Sequence, residues 1–400
     1  MRRSVMVSGI RVAIIGAGIG GLTAAAALRR RGVEAEVFEQ APQLGEVGAG
    51  VALASNGWSL LERLGLIEGL EAIGSSLGNG YYQLREDGSF ISMLRPPGAT
   101  GRMRVFGVHR ADLIDVLRTA VPESAIRTGH RLTGLAQDGD GVDLTFEHGA
   151  TYRADAVIGA DGIHSVVRSE LGFVDAPVPS GTAAYRALVP VDSEDMWEWG
   201  TSKLWIGPGR HFLVYPVRAD RLINIVAVVP ALGGERDSWS APGDPRELAN
   251  AFAGWDPVIH DLIDRIEHTF LWGLFDRAPL PGWTEGRVAL LGDSAHAMLP
   301  HLGQGANQTI EDGFALAAAL EGVDSAGVGA ALQVYEALRR ERATTVQRVS
   351  RESGNLFDME EQARFEDRDE RIRRIAPFYA WLNQHDADSL VAPDPAPTHG

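Results

Sequence analysis

No cysteine occurs in the 400 residues of the chain. Its absence removes disulfides, thiolate nucleophiles, iron–sulfur ligation and cysteinyl attachment of a cofactor, so redox chemistry would have to use a bound organic group. Nor is there a run of about 18 consecutive apolar residues, the length that spans a bilayer. Met1 to Ile10 lacks the apolar stretch of a secretory signal, and a soluble cytoplasmic protein is expected. No lysine- or arginine-rich segment interrupts an acidic balance in which 53 acidic residues face 37 lysines and arginines, a formal charge of −16. Such a surface repels nucleic acid and anionic lipid, so neither is an expected partner. Internal repeats are missing, low-complexity blocks are absent before the C-terminal end, and no metal site is read.

What is present begins with composition. With 45% hydrophobic residues over 400 positions the chain can bury a sizeable core, and its length fits two or three domains. The most telling segment is GAGIGG, Gly16 to Gly21, directly after the apolar run Val12-Ala13-Ile14-Ile15 and directly before an alanine-rich helical pattern, Leu22 to Arg31, closed by Gly32. That order is a βα phosphate loop. Gly16 permits the tight turn, Gly18 lets the backbone approach a pyrophosphate, and Gly21 allows the helix to pack on the strand with its N-terminus toward the anion. A second strand, Val33 to Glu39, follows. Glu39 ends it, near the roughly 20-residue spacing expected of a carboxylate that takes the hydroxyls of an adenosine ribose. The unit therefore predicts dinucleotide binding.

Further along, Asn56 to Leu66 and Ala111 to Ala120 read as helices, and Tyr81 to Leu84, Phe90 to Leu94, Val142 to Phe146 and Thr151 to Ala154 as strands. Ala156-Val157-Ile158 lacks alternation, as a parallel strand covered on both faces does. From Ala183 to Leu274 the texture changes to longer strands, Tyr185 to Pro190, Lys203 to Ile206, His211 to Val217 and Leu222 to Val229, interspersed with Trp197, Trp199 and Trp205. Three tryptophans there suit plain core better than an aromatic pocket. Parallel texture returns at Val288 to Asp293, followed by a helix from about Ala306 to Leu320, so the nucleotide-binding domain is read as discontinuous. Gln333 to Asn355 reads as one long helix, Asp358 to Arg374 as a solvated charged helix face, and Ala392 to Gly400, with three prolines, as a disordered tail.

Three separated motifs point the same way: GAGIGG with Glu39, GADGIHSVVR at Gly159 to Arg168, and LLGDSAHAMLPHLGQGANQTIEDG at Leu290 to Gly313. Over roughly residues 10 to 345 this trio resembles the single-component FAD-dependent aromatic hydroxylases, which include salicylate, hydroxybenzoate and hydroxynicotinate hydroxylases. The resemblance implies an α/β fold: a discontinuous Rossmann-like FAD-binding domain (residues 8–75, 102–178 and 281–330), an inserted mixed β-sheet substrate domain (76–101 and 179–280), and a C-terminal helical region (331–391) before the tail at 392–400.

The resemblance also implies roles. Asp161 and Gly162 are associated with flavin and nicotinamide handling, and Gly292-Asp293 places a carboxylate on the ribityl chain. Arg110 opens a helix near the flavin. Ile19, Gln40, Val51 and Leu132 are further expected cofactor contacts, with Pro300, Gly303, Gly305, Ala306 and Asn307 at matching downstream positions. Ser294 departs from the family's common alanine but is small. Physical sense supports the third motif independently, since a carboxylate at the C-terminal end of a parallel strand lies where such sheets bind ligands. The small residues of Gly303 to Asn307 admit a flat ring, and the helix they open favours an anionic reduced flavin.

With one dinucleotide fingerprint, assigned to FAD, NADH or NADPH has no domain of its own. By resemblance it docks transiently and reduces the flavin, after which O2 forms a flavin hydroperoxide beside a small aromatic substrate. A base that removes a phenolic proton accelerates oxygen transfer. His211 and Tyr215 lie four apart on an expected strand and so share a face; relatives have a histidine and tyrosine at this spacing in the substrate pocket. His301 is an alternative base or carboxylate anchor, and His296 is read as structural. Val47 stands where hydroxynicotinate hydroxylases tend to have histidine, which favours a benzenoid over a pyridine acid. The reading is an NAD(P)H- and FAD-dependent hydroxylase of a small phenolic acid, monomeric or homodimeric. Alternatives are a same-fold monooxygenase acting on a pyridine acid or a larger secondary metabolite, and a flavin-binding protein without turnover.

Overall fold

The structure, a computed structural model, describes residues 9–45, 49–94, 104–231, 242–391 and 394–397. Its first organising element is the strand Arg11–Ile15, buried at four of five positions. It lies inside a six-stranded sheet ordered Thr284–Glu285, Val288–Leu290, Ala156–Gly159, Arg11–Ile15, Glu34–Phe38 and Ile126–Arg127. All neighbours run parallel except the first pair. Ile15 is level with Phe38 on one side and Gly159 on the other, and Gly159 with Leu290. This register brings Gly16, Glu39, Ala160 and Leu291 to one carboxyl edge, where open α/β sheets bind ligands.

Small residues let two helices close over that edge. Ile19–Arg30 and Gly305–Leu320 pack side by side so tightly that a Cβ on Gly313 would lie 2.9 Å from the Ala24 nitrogen, and one on Gly20 would lie 2.2 Å from Thr309 Oγ1.

The second layer is an eight-stranded sheet, ordered Pro242–Gly243, Thr269–Asp276, Val178–Pro190, Leu222–Pro230, Arg210–Val217, Thr201–Gly207, Gly80–Arg85 and Phe90–Leu94. One face buries Trp205, Phe212, Ile225 and Phe252 with the helices Pro245–Ala251 and Pro257–Ile263. Trp197 and Trp199 join that cluster, so the three tryptophans singled out in the sequence are core. The opposite face looks toward the carboxyl edge of the parallel sheet.

Several elements depart from the sequence reading. A three-stranded sheet of Gly50–Leu53, Phe106–His109 and Ser75–Ser76 was not expected, because its strands are short and pair across long separations. The long helix runs Val328–Phe357, starting earlier and ending later than read. Asp358 to Arg374 is not a uniformly solvated face. Arg368, Asp369 and Ile372 are buried, with Asp369 accepting a 2.7 Å hydrogen bond from Arg85 Nε, because the helix Phe365–Arg373 folds back onto the strand Phe90–Leu94. Val47 lies outside the described residues, as do 392–393 and 398–400 of the expected tail; within it, the Asp394 carbonyl accepts a 2.8 Å bond from Trp381 Nε1. No helix among the described residues is long and apolar enough to cross a membrane.

A buried charge network fastens the long helix to the helix Gly305–Leu320. Arg339 donates to Glu311 at 2.5 Å and Asp312 at 2.8 Å, Arg342 Nε donates to Glu311 at 2.8 Å, and His296 meets Asp312 at 2.6 Å. All five side chains are essentially inaccessible. Burial alone would raise the Glu311 carboxyl, but Arg342 and Arg339 outweigh it and hold it far below its usual range. Asp312 also accepts from the Gly292 nitrogen at 3.0 Å, so the network extends to a motif turn. Glu311→Ala leaves the buried Arg342 guanidinium without a carboxylate and Arg339 with Asp312 alone, and is expected to cost ~3–5 kcal/mol of stability. Denaturant unfolding measures this, and a loss below about 1 kcal/mol would show that water satisfies the arginines.

Candidate functional site

Between the two sheets lies a cavity of about 310 Å³. One wall is the carboxyl edge of the parallel sheet with the phosphate loop, and the floor is the free face of the eight-stranded sheet.

The loop is built from glycine sterics. Gly16 has φ +108, and a Cβ there would meet the Ala160 carbonyl oxygen at 2.4 Å; on Gly21 it would meet the Gly16 carbonyl oxygen at 1.9 Å. At Gly18 a Cβ would find nothing within 4 Å, and this residue lines the cavity with Ile19 and Gly20. The helix Ile19–Arg30 has neither a side-chain cap nor an acidic residue in its first turn, and the same is true of Gly305–Leu320. Two helix N-termini of positive potential are thus presented without an internal anion. Glu39 steadies the loop, accepting from the Ala17 and Ala41 nitrogens at 2.8 Å each; a carboxylate has acceptor capacity beyond these two bonds.

Of the other residues expected at a cofactor, Val51, Arg110, Asp293, Pro300, Gly303, Gly305 and Ala306 line the cavity. Asp293 is exposed there, and among the described residues its carboxylate has no hydrogen-bond partner. Gly292 sits at φ +64, which turns the chain so that Asp293 opens a short helix. Three expectations are relocated. Asp161 is turned away to cap the helix Val166–Glu170, taking Ser165 Oγ at 2.5 Å and the Val166 nitrogen at 2.7 Å, while Gly162 remains at the cavity. Leu132 is core, opposite Phe146. Gln40 lies beyond the cavity lining. Asn307 is buried and structural in its contacts, accepting from the Ala54 nitrogen at 2.9 Å and donating to the Ala52 carbonyl at 3.0 Å, which pins the strand Gly50–Leu53 to the Gly305–Leu320 helix.

His211, Tyr215 and His301 all reach the cavity. His211 and Tyr215 point from one face of the strand Arg210–Val217, as their spacing requires. His211 Nδ1 lies 2.6 Å from Asp358 Oδ1, and the His301 ring stands edge-on 5.1 Å away. Burial, with smaller contributions from His211 and Arg351, holds the His301 pKa well below the ordinary histidine value. Burial pushes the Tyr215 phenol up to about 12 against an opposing effect of Arg186, so it stays protonated.

Sequence reasoning missed Asp358, Arg186 and Trp272. Asp358 follows the last turn of the long helix, and only tertiary folding brings it to His211. Arg186 and Trp272 sit on neighbouring strands of the floor, with the guanidinium carbon 5.0 Å from the indole centroid. Neither lies in a local motif.

Comparison with known proteins gives the family and the fold. A family profile described as FAD binding domain matches residues 9–350. The 3-amino-4-hydroxybenzoate 2-monooxygenase PtnB3 of Streptomyces platensis is 38% identical over 380 residues, covering 93% of this chain and 95% of that protein. A salicylate hydroxylase of Pseudomonas putida is 36% identical over 415 residues, covering 96% and 94%. Among solved structures, a salicylate hydroxylase substrate complex superposes with a TM-score of 0.82 at 30% identity over 97% of this chain and 100% of that one. Klebsiella pneumoniae HpxO complexed with FAD and uric acid gives a TM-score of 0.82 at 25% identity, covering 97% and 98%.

Proposed function

Because the chain belongs to the FAD binding domain family and is an FAD-dependent aromatic-ring monooxygenase, we propose that it hydroxylates a small phenolic acid of the hydroxybenzoate type, with NADH or NADPH as electron donor and O2 as co-substrate. The observation that carries this reading is the pair His211 and Tyr215 on the cavity floor, with His211 backed by Asp358. Two of the relatives are named for phenolic acids, salicylate and 3-amino-4-hydroxybenzoate.

The residues present fit FAD. An uncapped, acid-free helix N-terminus behind Gly18 suits a pyrophosphate, Glu39 suits ribose hydroxyls, and Asp293 supplies a free carboxylate to ribityl hydroxyls. The glycines of the 303–305 loop leave room for a flat ring. When bound, the flavin accepts reducing equivalents and passes them to oxygen. The chain's own residues do the rest. A histidine Nδ1–H donated to the Asp358 carboxylate leaves Nε2 as an acceptor, the tautomer a base needs. His211 then takes the phenolic proton and raises electron density on the ring carbons, while protonated Tyr215 donates to the same oxygen. His301, held neutral, adds no competing positive charge. Apolar Leu213, Val226 and Val228 between these groups keep the floor dry. We assign residues 8–75, 102–178 and 281–330 to the cofactor-binding part and 76–101 with 179–280 to the substrate-binding part.

The test is a panel of phenolic acids assayed for stimulated NADH and NADPH oxidation, with hydroxylated product and hydrogen peroxide measured together. At least one acid is expected to accelerate oxidation and yield product in proportion. Equal oxidation with and without every acid would overturn the reading.

A further inference from the structure

Arg186 is a cation in this cavity that the chemistry so far leaves unused. It projects from the strand Val178–Pro190 onto the cavity floor. Its Nη1 donates to the Gly50 carbonyl at 3.2 Å, its guanidinium lies over Trp272, and its buried Nε has no hydrogen-bond partner. Among the described residues no carboxylate forms an ion pair with it. Asp293, which lines the same cavity, does not reach it within 4 Å. A sequestered guanidinium with free donors and no counter-charge is costly unless a ligand completes it.

Sheet register gives its position relative to the proposed base. Arg186 pairs with Val226, and Val226 with Leu213; His211 pairs with Val228, and Tyr215 with Asn224. Arg186 therefore occupies the row between those of His211 and Tyr215, two strands across, a separation of about 10 Å between main chains. The residues between, Val226 and Leu213, are apolar. The floor is thus an apolar strip about one aromatic ring wide, with a phenol-handling pair at one side and a forked cation at the other. Trp272, which also lines the cavity, lies against the guanidinium.

We propose that Arg186 is a specificity-determining residue that receives the substrate's carboxylate, and that the carboxylate and the activated hydroxyl therefore lie meta or para on the ring. This rests on the phenolic-acid reading of the same site. Arginine suits the task because its planar fork matches a carboxylate with two parallel hydrogen bonds, which lysine cannot copy. Hydroxyl and carboxylate on adjacent ring carbons are too close to meet both sides of the strip. A neutral amide in place of the acid offers no charge to pair.

The holoenzyme of wild type, Arg186→Gln and Arg186→Lys is titrated with 3- and 4-hydroxybenzoate, salicylate and 4-hydroxybenzamide, followed by perturbation of the flavin absorbance, with FAD content measured in each preparation. Wild type is expected to bind a meta or para acid most tightly. Arg186→Gln is expected to raise that Kd roughly 10–100-fold, the span of charge-assisted hydrogen bonds. Binding of the benzamide should be unmoved, and Arg186→Lys should recover part of the loss. FAD content should match wild type. Equal weakening of acid and amide, or FAD loss without selective loss of the acid, would overturn the anchor while leaving the phenolic-acid reading standing. Salicylate bound as tightly as the meta and para acids would overturn the ring geometry. If no acid binds or stimulates turnover in wild type, the phenolic-acid reading itself falls and the anchor with it.

Discussion

His211→Ala is expected to retain FAD while lowering aromatic hydroxylation by roughly 10²–10⁴, the usual contribution of a positioned general base. Electrons that still reach oxygen should then leave as hydrogen peroxide. The expectation follows from three features: the side chain lies on the cavity floor, Asp358 engages its Nδ1 at 2.6 Å, and the neighbouring phenol of Tyr215 is pushed up to about 12 by burial. A phenol of pKa about 12 cannot serve as base at neutral pH, so Tyr215→Phe should cost less than His211→Ala. Asp358→Asn removes the charge behind the ring while keeping a polar partner, and should fall between the two. Product and peroxide yields for the four proteins check the series. If His301→Ala loses coupling while His211→Ala keeps wild-type rate and product yield, the base is His301.

Those side chains show how far the sequence reaches. That His211 and Tyr215 share a face was legible because residues four apart on a strand must do so, a rule that needs no tertiary information, while their expected place in a substrate pocket came from the family resemblance. The phosphate loop was legible for the same reason: Gly16, Gly18 and Gly21 act on backbone within one βα turn. The central strands were legible because uninterrupted apolar runs mark a sheet covered on both faces, as at Ala156–Gly159. Asp358 was not. It stands in a segment rich in both charge signs, where composition describes the average residue and says nothing of one carboxylate turned back onto a strand 147 positions earlier. Arg186 and Trp272 likewise meet through pairing of Val178–Pro190 with Thr269–Asp276, a long-range register that no local pattern encodes. Asp161 carries a different lesson. Its motif was recognised, but its carboxylate is spent on Ser165 and the Val166 nitrogen, so the motif positions Gly162 and a helix start rather than a ligand-facing acid.

Retention of FAD separates the contributions of the loop and of the carboxylate. Gly21→Ala is expected to disturb the loop's structure as well as FAD affinity, because the new Cβ would lie 1.9 Å from the Gly16 carbonyl oxygen and 3.3 Å from Ile14 Cγ2. The methyl meets main chain rather than a flexible side chain, so the loop or the helix Ile19–Arg30 must move. Forcing a methyl into packed surroundings costs about 1–3 kcal/mol, and here the displaced atoms are those proposed to face the pyrophosphate. Free energy of that size corresponds to roughly 5–150-fold in affinity. Asp293→Ala probes the carboxylate without disturbing the fold, since the side chain is exposed in the cavity and has no partner among the described residues. It removes only an acceptor, and each lost hydrogen bond to a charged group is worth about 1.5–3 kcal/mol. Wild-type protein should carry one FAD per chain, released intact by acid precipitation because no cysteine can attach it. Both variants should lose FAD on gel filtration, Gly21→Ala with a perturbed circular dichroism spectrum and Asp293→Ala without one. Unchanged FAD affinity in Asp293→Ala would remove the carboxylate from the cofactor site. Unchanged affinity in Gly21→Ala would mean the phosphate loop can yield without cost, which its backbone contacts argue against.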